Sequence, residues 1–247
     1  MKILSVDTSS NICSIAILEN DKLLYEKSIN SGLTHSEKLM PMINEGFNSV
    51  SININDIDIF ACSKGPGSFT GIRIGIATIK SFTDVFNKPS IGITSLESLA
   101  HNIKNEGIIC SLIDAKNNNI YGGIFKLENN KYTLINEYIA DTIDNTLEKL
   151  KEIINSNNID ELKTLYFVGD GSDIYKNEIT SKFNNAILAN EEQNKLNATN
   201  IALIASNYFS QINNGDTTLY NKDISFSPLY LRKSQAERML DMKKNQV

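Results

Sequence analysis

The chain has almost no histidine. Two of its 247 residues are histidines, His35 and His101. They fall in different predicted elements, and neither an HxxxH nor an HExxH pair occurs. Two imidazoles therefore never share one helical face, which excludes the histidine-pair metal site of a helix-borne metallopeptidase. Cysteine is scarce as well. Cys13, Cys62 and Cys110 are odd in number, far apart, without a CxxC pair, and each sits in an apolar, strand-like run. That is the usage of buried thiols in a reducing compartment, and the expected location is cytoplasmic. Positive charge is short: 24 Lys and Arg against 29 Asp and Glu leave a net charge of −5. A broad basic face for nucleic acid is thereby excluded. No apolar run approaches a membrane span. One lysine and a few apolar residues before Asp7 cannot build a signal peptide.

What the chain does have is glycine where a strand meets a helix. The run from Ile57 to Cys62 is short, apolar and rich in Ile and Phe, which predicts a buried strand. Ile72, Ile76, Ile79, Phe82 and Phe86 recur at helical spacing and predict a helix over 72–86. Between them stands Ser63-Lys64-Gly65-Pro66-Gly67-Ser68-Phe69-Thr70-Gly71. Such a junction admits two readings. One is an anion cradle, in which backbone N–H groups at the helix start point at a phosphate. The other is a tight turn that needs glycine dihedrals and close backbone approach. The phosphate-loop signatures are missing. Gly71-Ile72-Arg73 stands where a Walker loop requires Gly-Lys-Ser/Thr, and after Gly65-Pro66-Gly67 the next glycine comes one residue late for GxGxxG. Ser68 lacks the second glycine of a nucleophile elbow. Arg73 falls in the first turn of the predicted helix, where the macrodipole opposes a cation. It calls for a partner: a carboxylate, a phosphate or a neighbouring chain.

Read in order, the chain predicts strands over 2–7, 12–18 and 22–29, the last two joined by Glu19-Asn20-Asp21. Thr34-His35-Ser36-Glu37 matches a capping box, and the helix it opens carries Leu39, Ile43, Phe47 and Val50 on one side. Pro41 should kink that helix or shift its start. A strand over 57–63, the helix 72–86 and a strand over 90–93 follow, and Thr94-Ser95-Leu96-Glu97 opens a further helix to about Asn105. The second half repeats this pattern. Strands are predicted over 107–114, 119–127 and 131–139, then a helix over 142–156, a strand over 164–168 and a helix over 173–183. A weak strand over 186–189 and a helix over 198–213 close it. The result is a duplicated βββαβαβα order with a repeat of about one hundred residues, an α/β class with two lobes, 1–106 and 107–247. Asp7-Thr8-Ser9 and Asp114 occupy equivalent turns after the first strand of each half. From Leu231 onward five basic residues stand against two acids. This +3 end is either a solvated tail or an RNA contact, and whether the tail from about 215 packs back on the first lobe is left open.

The stretch SKGPGSFTGIRIG, together with Asp7-Thr8-Ser9, Thr34-His35-Ser36-Glu37-Lys38-Leu39 and Pro228-Leu229-Tyr230-Leu231-Arg232, resembles the bacterial TsaB (YeaZ) family. The resemblance is strong over 1–115 and weaker to Leu203. That family belongs to the tRNA N6-threonylcarbamoyladenosine machinery. The duplicated order also resembles the actin, hexokinase and Hsp70 (ASKHA) fold, where an aspartate-bearing turn in each half faces the nucleotide phosphates. The resemblance implies a subunit without catalytic residues, metal or resident cofactor. Weak or complex-dependent ATP or ADP binding would fit a vestigial turn made of Asp7, Thr8, Ser9 and Asp114. It implies TsaD as partner, TsaE docking on the pair, a homodimer through a similar surface, tRNA contact mainly through the complex, and no membrane association. The helices over 35–48 and 72–86 would meet the partner, with Leu39, Met42, Ile43, Ile72, Arg73, Ile76 and Ile79 as candidates. The loop Gly65-Pro66-Gly67-Ser68-Phe69-Thr70-Gly71 would shape the second helix and touch the partner. The alternative is an actin-fold Mg-ATP-dependent kinase or ATPase. The second turn, Asp114-Ala115-Lys116-Asn117-Asn118-Asn119, has no glycine to admit a phosphate, which disfavours it. A peptidase is third, since the histidine ligand pair is missing.

Overall fold

The computed structural model describes residues 1–30, 34–156, 164–213 and 226–232. Two mixed sheets form the frame. In the first half, β1 (Lys2–Asp7), β2 (Ile12–Glu19) and β3 (Lys22–Asn30) are followed by α1 (His35–Val50), β4 (Ile59–Ser63), α2 (Phe69–Phe86), β5 (Ser90–Ile93) and α3 (Ser95–Ala100). The sheet runs β3-β2-β1-β4-β5, antiparallel through the hairpins and parallel from β1 to β5. The second half holds β6 (Gly107–Asp114), β7 (Asn119–Glu128), β8 (Lys131–Leu134), β9 (Ile139–Thr142) and α4 (Ile143–Ser156). It continues with β10 (Leu165–Val168), α5 (Asp170–Ile174), α6 (Lys176–Lys182), β11 (Ala186–Leu188) and α7 (Ala198–Asn213). Its sheet runs β11-β10-β6-β7-β8, with β9 also on β7. The duplication extends to the turns. Asn20 and Asp21 in one hairpin, and Asn129 and Asn130 in the other, all take positive φ, as a two-residue hairpin loop requires.

Several elements differ from their sequence-based expectation. Helix α2 begins at Phe69, three residues early, because the Ser68 side chain accepts from the Gly71 N–H at 3.2 Å and caps it. Arg73 therefore lies in the second turn, where the macrodipole has faded, and the dipole argument for its partner does not hold. The capping box at Thr34 is not formed: Thr34 sits at φ −103°, ψ 30°, and makes no side-chain cap bond. The one at Thr94 has its N-cap half, with Glu97 N–H donating to the Thr94 hydroxyl at 3.1 Å. Helix α1 is continuous through Pro41, and α3 ends at Ala100. The strand expected over 131–139 is two, because the chain leaves β7 between them: Leu134 opposes Phe125 but Ile139 opposes Gly122. That detour lets the Tyr138 hydroxyl reach the Thr94 hydroxyl at 2.9 Å. The helix over 173–183 is divided into α5 and α6.

The lobes exchange helices. Ile201, Ala202 and Ala205 of α7 pack under the first sheet against Ile3, Leu18, Ile59 and Ile91. Leu96 and Leu99 of α3 pack on the second sheet against Ile109, Tyr121 and Phe125. An amide cluster pins the exchange. Asn200 Nδ2 donates to the Asn102 side chain at 2.6 Å and to the Ser98 carbonyl at 2.9 Å, and Asn197 Nδ2 donates to Asn102 at 3.1 Å. The Tyr208 hydroxyl of α7 donates to the Glu97 carboxylate of α3. The division at residue 106 thus separates the repeats in sequence, while packing interlocks them. Among the described residues no helix is long and apolar enough to cross a membrane.

Candidate functional site

The glycine-rich turn lies directly on the Asp7-Thr8-Ser9 turn. Thr8 Oγ1 donates to the Gly71 carbonyl at 2.7 Å, and the Ser68 N–H donates to the Ser9 carbonyl at 2.7 Å. A Cβ on Gly67 would run into the Ser9 carbonyl oxygen, and one on Gly71 into that of Thr8. A Cβ on Gly75 would stand 2.6 Å from Thr8 Oγ1. Of the two readings of this loop, the structure realises close backbone approach: chain lies on chain, and the glycines admit carbonyl oxygens of the neighbouring turn. Thr8 and Ser9 are buried.

Asp7 is the charged group beneath this contact. It is 1 % exposed. Its Oδ1 accepts from the Ser9 N–H at 2.8 Å and the Ser9 hydroxyl at 2.7 Å, while Oδ2 has no hydrogen-bond partner among the described residues. Burial pushes its carboxyl up to about 6, against the pull of the two Ser9 bonds. A hydroxyl chain continues from it: Ser95 Oγ donates to Ser9 Oγ at 3.0 Å and lies 2.8 Å from Ser63 Oγ. The same burial, with Asp7 adding to it, raises the Cys13 thiol to about 11. The turn of the second half is built differently. Asp114 accepts from the Lys116 ammonium at 2.6 Å and the Lys116 N–H at 3.0 Å, and the Tyr175 hydroxyl lies at 3.4 Å. Its own N–H donates to Asp170 Oδ1 at 3.0 Å. Burial first, and then the Asp114 charge, raise the Asp170 carboxyl. Lys116, Asn117 and Asn118 take φ of 64°, 55° and 60° in place of glycines. Asp114 thus carries its own counter-ion, whereas Asp7 has none among the described residues.

Residues 226–232 cross this region as a strap. Phe226 packs against the core of the first lobe. The Leu229 N–H donates to the Lys64 carbonyl at 2.8 Å. The Tyr230 ring stacks on Phe69 at 4.7 Å and 7°, and its hydroxyl accepts a hydrogen bond from Arg73 Nε at 2.8 Å. Leu231 packs against the cluster formed by α3 and the second sheet. Lys233 and the rest of the basic tail lie outside the described residues.

The partner candidates divide sharply. Leu39, Met42, Ile43, Ile72, Ile76 and Ile79 are between 0 and 8 % exposed and belong to the core of the first lobe. They are the stripe each helix turns to the sheet, so they do not form a surface. Arg73 alone of the seven is exposed. Both helices also carry apolar residues that face outward. On α1, Met40 is 48 % exposed; on α2, Ala77 is exposed and Val85 is 72 % exposed. A groove of about 310 Å³ lies between the helices, lined by Met40, Asn44, Phe47, Ile52, Ile54 and Phe82. Ile52 and Ile54 come from the link after α1 and carried no sequence signal as site residues. His35 is buried, with Nε2 2.8 Å from the Ser10 carbonyl. Among the described residues no group of three or more His, Cys, Asp or Glu could hold a metal ion.

A family model described as "TsaD: tRNA N6-adenosine threonylcarbamoyltransferase" matches residues 30–239. The tRNA threonylcarbamoyladenosine biosynthesis protein TsaB of Buchnera aphidicola subsp. Schizaphis graminum is 35 % identical over 190 residues, covering 73 % of this chain and 84 % of that one. The chain belongs to the TsaB family. The TsaB of Bacillus subtilis is 31 % identical over 156 residues, 62 % of this chain and 67 % of its own length. Among solved structures, YeaZ from Pseudomonas aeruginosa superposes with a TM-score of 0.72 at 18 % identity, covering 93 % of this chain and 99 % of that one. At that identity the likeness speaks for the fold alone, and the fold is the duplicated actin-like (ASKHA) arrangement. TsaB relatives are named for tRNA threonylcarbamoyladenosine biosynthesis, and the TsaD match places the chain in wider homology with a transferase of the same modification.

Proposed function

We propose that this chain is a cytoplasmic, non-catalytic subunit of tRNA N6-threonylcarbamoyladenosine synthesis at adenosine 37, which binds a TsaD transferase and holds it in a competent shape. The carrying observation is the closed contact between the glycine-rich turn and the Asp7 turn. A glycine-rich strand-to-helix junction of this kind can cradle an anion with free N–H groups; here it is packed against carbonyl oxygens of its own chain. In this reading the chain needs neither metal nor resident nucleotide, and its contribution is a coupling free energy between subunits. The outer faces of α1 and α2 supply the surface: Met40, Ala77 and Val85 are apolar, outward and on adjacent helices. TsaE would dock on the assembled pair, tRNA would be met mainly through the complex, and the same helical face would serve a homodimer.

The test is tRNA modification in a purified system of TsaD, TsaE, tRNA and threonylcarbamoyl-adenylate, with and without this chain. Product should depend on the chain, and Ala77→Glu, which places a charge on the outer face of α2, should lower both pairing and product. Product formed equally well without the chain overturns the reading.

A further inference from the structure

We propose that Arg73 is a preset anchor for a carboxylate on the protein partner, and that Tyr230 of the C-terminal strap is the residue that presets it. The proposal rests on the partner reading above and adds a charged contact to it. Arg73 is exposed on the outer face of α2, one turn before the exposed Ala77. Long exposed arginines normally sample many rotamers and lose that freedom on binding. This one is already held. Its Nε donates to the Tyr230 hydroxyl at 2.8 Å, and its guanidinium carbon lies 5.6 Å from the centre of the Tyr230 ring. Tyr230 is fixed in turn by stacking on Phe69, at the first position of α2, and by the Leu229 N–H bonded to the Lys64 carbonyl.

With Nε engaged, the two terminal nitrogens remain. Among the described residues Arg73 makes no ion pair, and α2 has no acidic residue in its first turn. Arg73 is exposed and only its Nε is spent among the described residues, so the two Nη groups are available to read a carboxylate with two parallel bonds. A nucleic-acid phosphate offers the same oxygens, but a backbone is gripped by several cations together. The outward neighbours of Arg73 one turn to either side on α2 are Thr70 and Ala77, both uncharged, and the chain as a whole carries −5. A single acidic side chain on a protein is the better match.

The experiment titrates full-length chain against TsaD and reads the dissociation constant for wild type, Arg73→Ala, Arg73→Lys, Tyr230→Phe, and the double variant with Arg73→Ala and Tyr230→Phe. Thermal unfolding of each confirms a native fold. Losing the charge-assisted bonds should weaken pairing about thirtyfold in Arg73→Ala. Arg73→Lys keeps the charge without the fork and should still lose about tenfold. Tyr230→Phe keeps the stacking and frees the guanidinium, and should lose about threefold, with no further loss in the Arg73→Ala background. That non-additivity separates presetting from a merely structural role. Arg73→Lys pairing like wild type, or Tyr230→Phe having the same effect with and without Arg73, overturns the proposal. So does weakened tRNA capture by the assembled complex with pairing intact, which would assign the fork to a phosphate. If wild type itself does not pair with TsaD, the partner reading falls and this one with it. If wild type pairs, Ala77→Glu weakens it and the Arg73 variants do not, the anchor alone is wrong.

Discussion

Asp7→Asn tests whether the turn at the end of β1 is a filled structural contact or a site kept for a cation. The wild-type carboxyl is buried, bonded through Oδ1 to Ser9, and its pKa is raised from 3.8 to about 6. A raised carboxyl means that the folded state holds the proton more tightly than the unfolded chain. Its contribution is therefore fully present below about pH 4, is lost as pH rises through about 6, and is flat above that. A shift of about two pKa units at 1.36 kcal/mol each gives a loss of about 3 kcal/mol between pH 4 and pH 7. Asparagine keeps an oxygen for Ser9 and does not titrate, so the variant escapes that loss. Urea unfolding of both proteins at pH 4, 5, 6 and 7 should show the variant gaining on wild type by about 3 kcal/mol across the series. Burial raises the Cys13 thiol to about 11, far outside this window, and His101, lowered to about 4 by burial, titrates equally in both proteins. A difference that stays flat, or that runs toward wild type as pH rises, would refute the reasoning. A trend toward wild type would mean that the ionised carboxylate has a favourable partner at Oδ2, as the Mg-ATP alternative requires, and a flat difference would mean that burial leaves the carboxyl unshifted.

Three further outcomes follow from the same geometry. Gly71→Ala should cost about 3 kcal/mol of unfolding free energy, since its Cβ meets the Thr8 carbonyl and backbone must move; a change under 0.5 kcal/mol in urea unfolding would show that the turns are not in contact. Ile76→Glu should destabilise by about 4 kcal/mol, because the side chain is 8 % exposed and the new charge would have no partner; normal thermal stability with lost pairing would return Ile76 to the surface. Saturating Mg-ATP should leave the melting temperature of the isolated chain unchanged, whereas a ligand at 100 times its Kd would add about 2.7 kcal/mol and a plain upward shift.

The fold was legible because each half repeats the same alternation of strand and helix periodicity, and even its hairpin turns recur as Asn20-Asp21 and Asn129-Asn130. The glycine-rich turn was legible as a strand-to-helix junction. What glycine was for could not be read, since Thr8 and Ser9 are sixty residues away in sequence and meet Gly67 and Gly71 only in the folded chain. Helix faces failed for a different reason. Periodicity shows that Leu39, Ile43, Ile72, Ile76 and Ile79 share a stripe, but a stripe has no sign: the same spacing serves a core or a partner. Which apolar residues lie off the buried stripe and face outward, Met40, Ala77 and Val85, is read only from the folded chain. Arg73 was noticed for the wrong cause. A cap at Ser68 moves the helix start, removes the dipole conflict, and leaves Tyr230, 157 residues on, as what holds it.

On the proposed reading, the same contacts account for how a duplicated α/β frame can serve as a support. Here Thr8, Ser9, Gly67 and Gly71 close on one another within the first lobe. The exchanged helices α3 and α7 tie the lobes through Asn102, Asn197, Asn200, Ser98 and the Tyr208–Glu97 bond. The strap then adds Leu229 on Lys64, Tyr230 on Phe69 and Leu231 on the second lobe. The contacts of Thr8 and Ser9 with Gly71 and Ser68, and of Tyr230 with Phe69, remove freedom at the start of α2, the helix whose outer face carries Arg73 and Ala77. Fixing a surface in its binding geometry before the partner arrives lowers the ordering entropy lost on association, by about 0.5–1.5 kcal/mol for each side chain held. On the proposed reading, a frame stiffened around α2 would gain affinity for its partner from every such side chain.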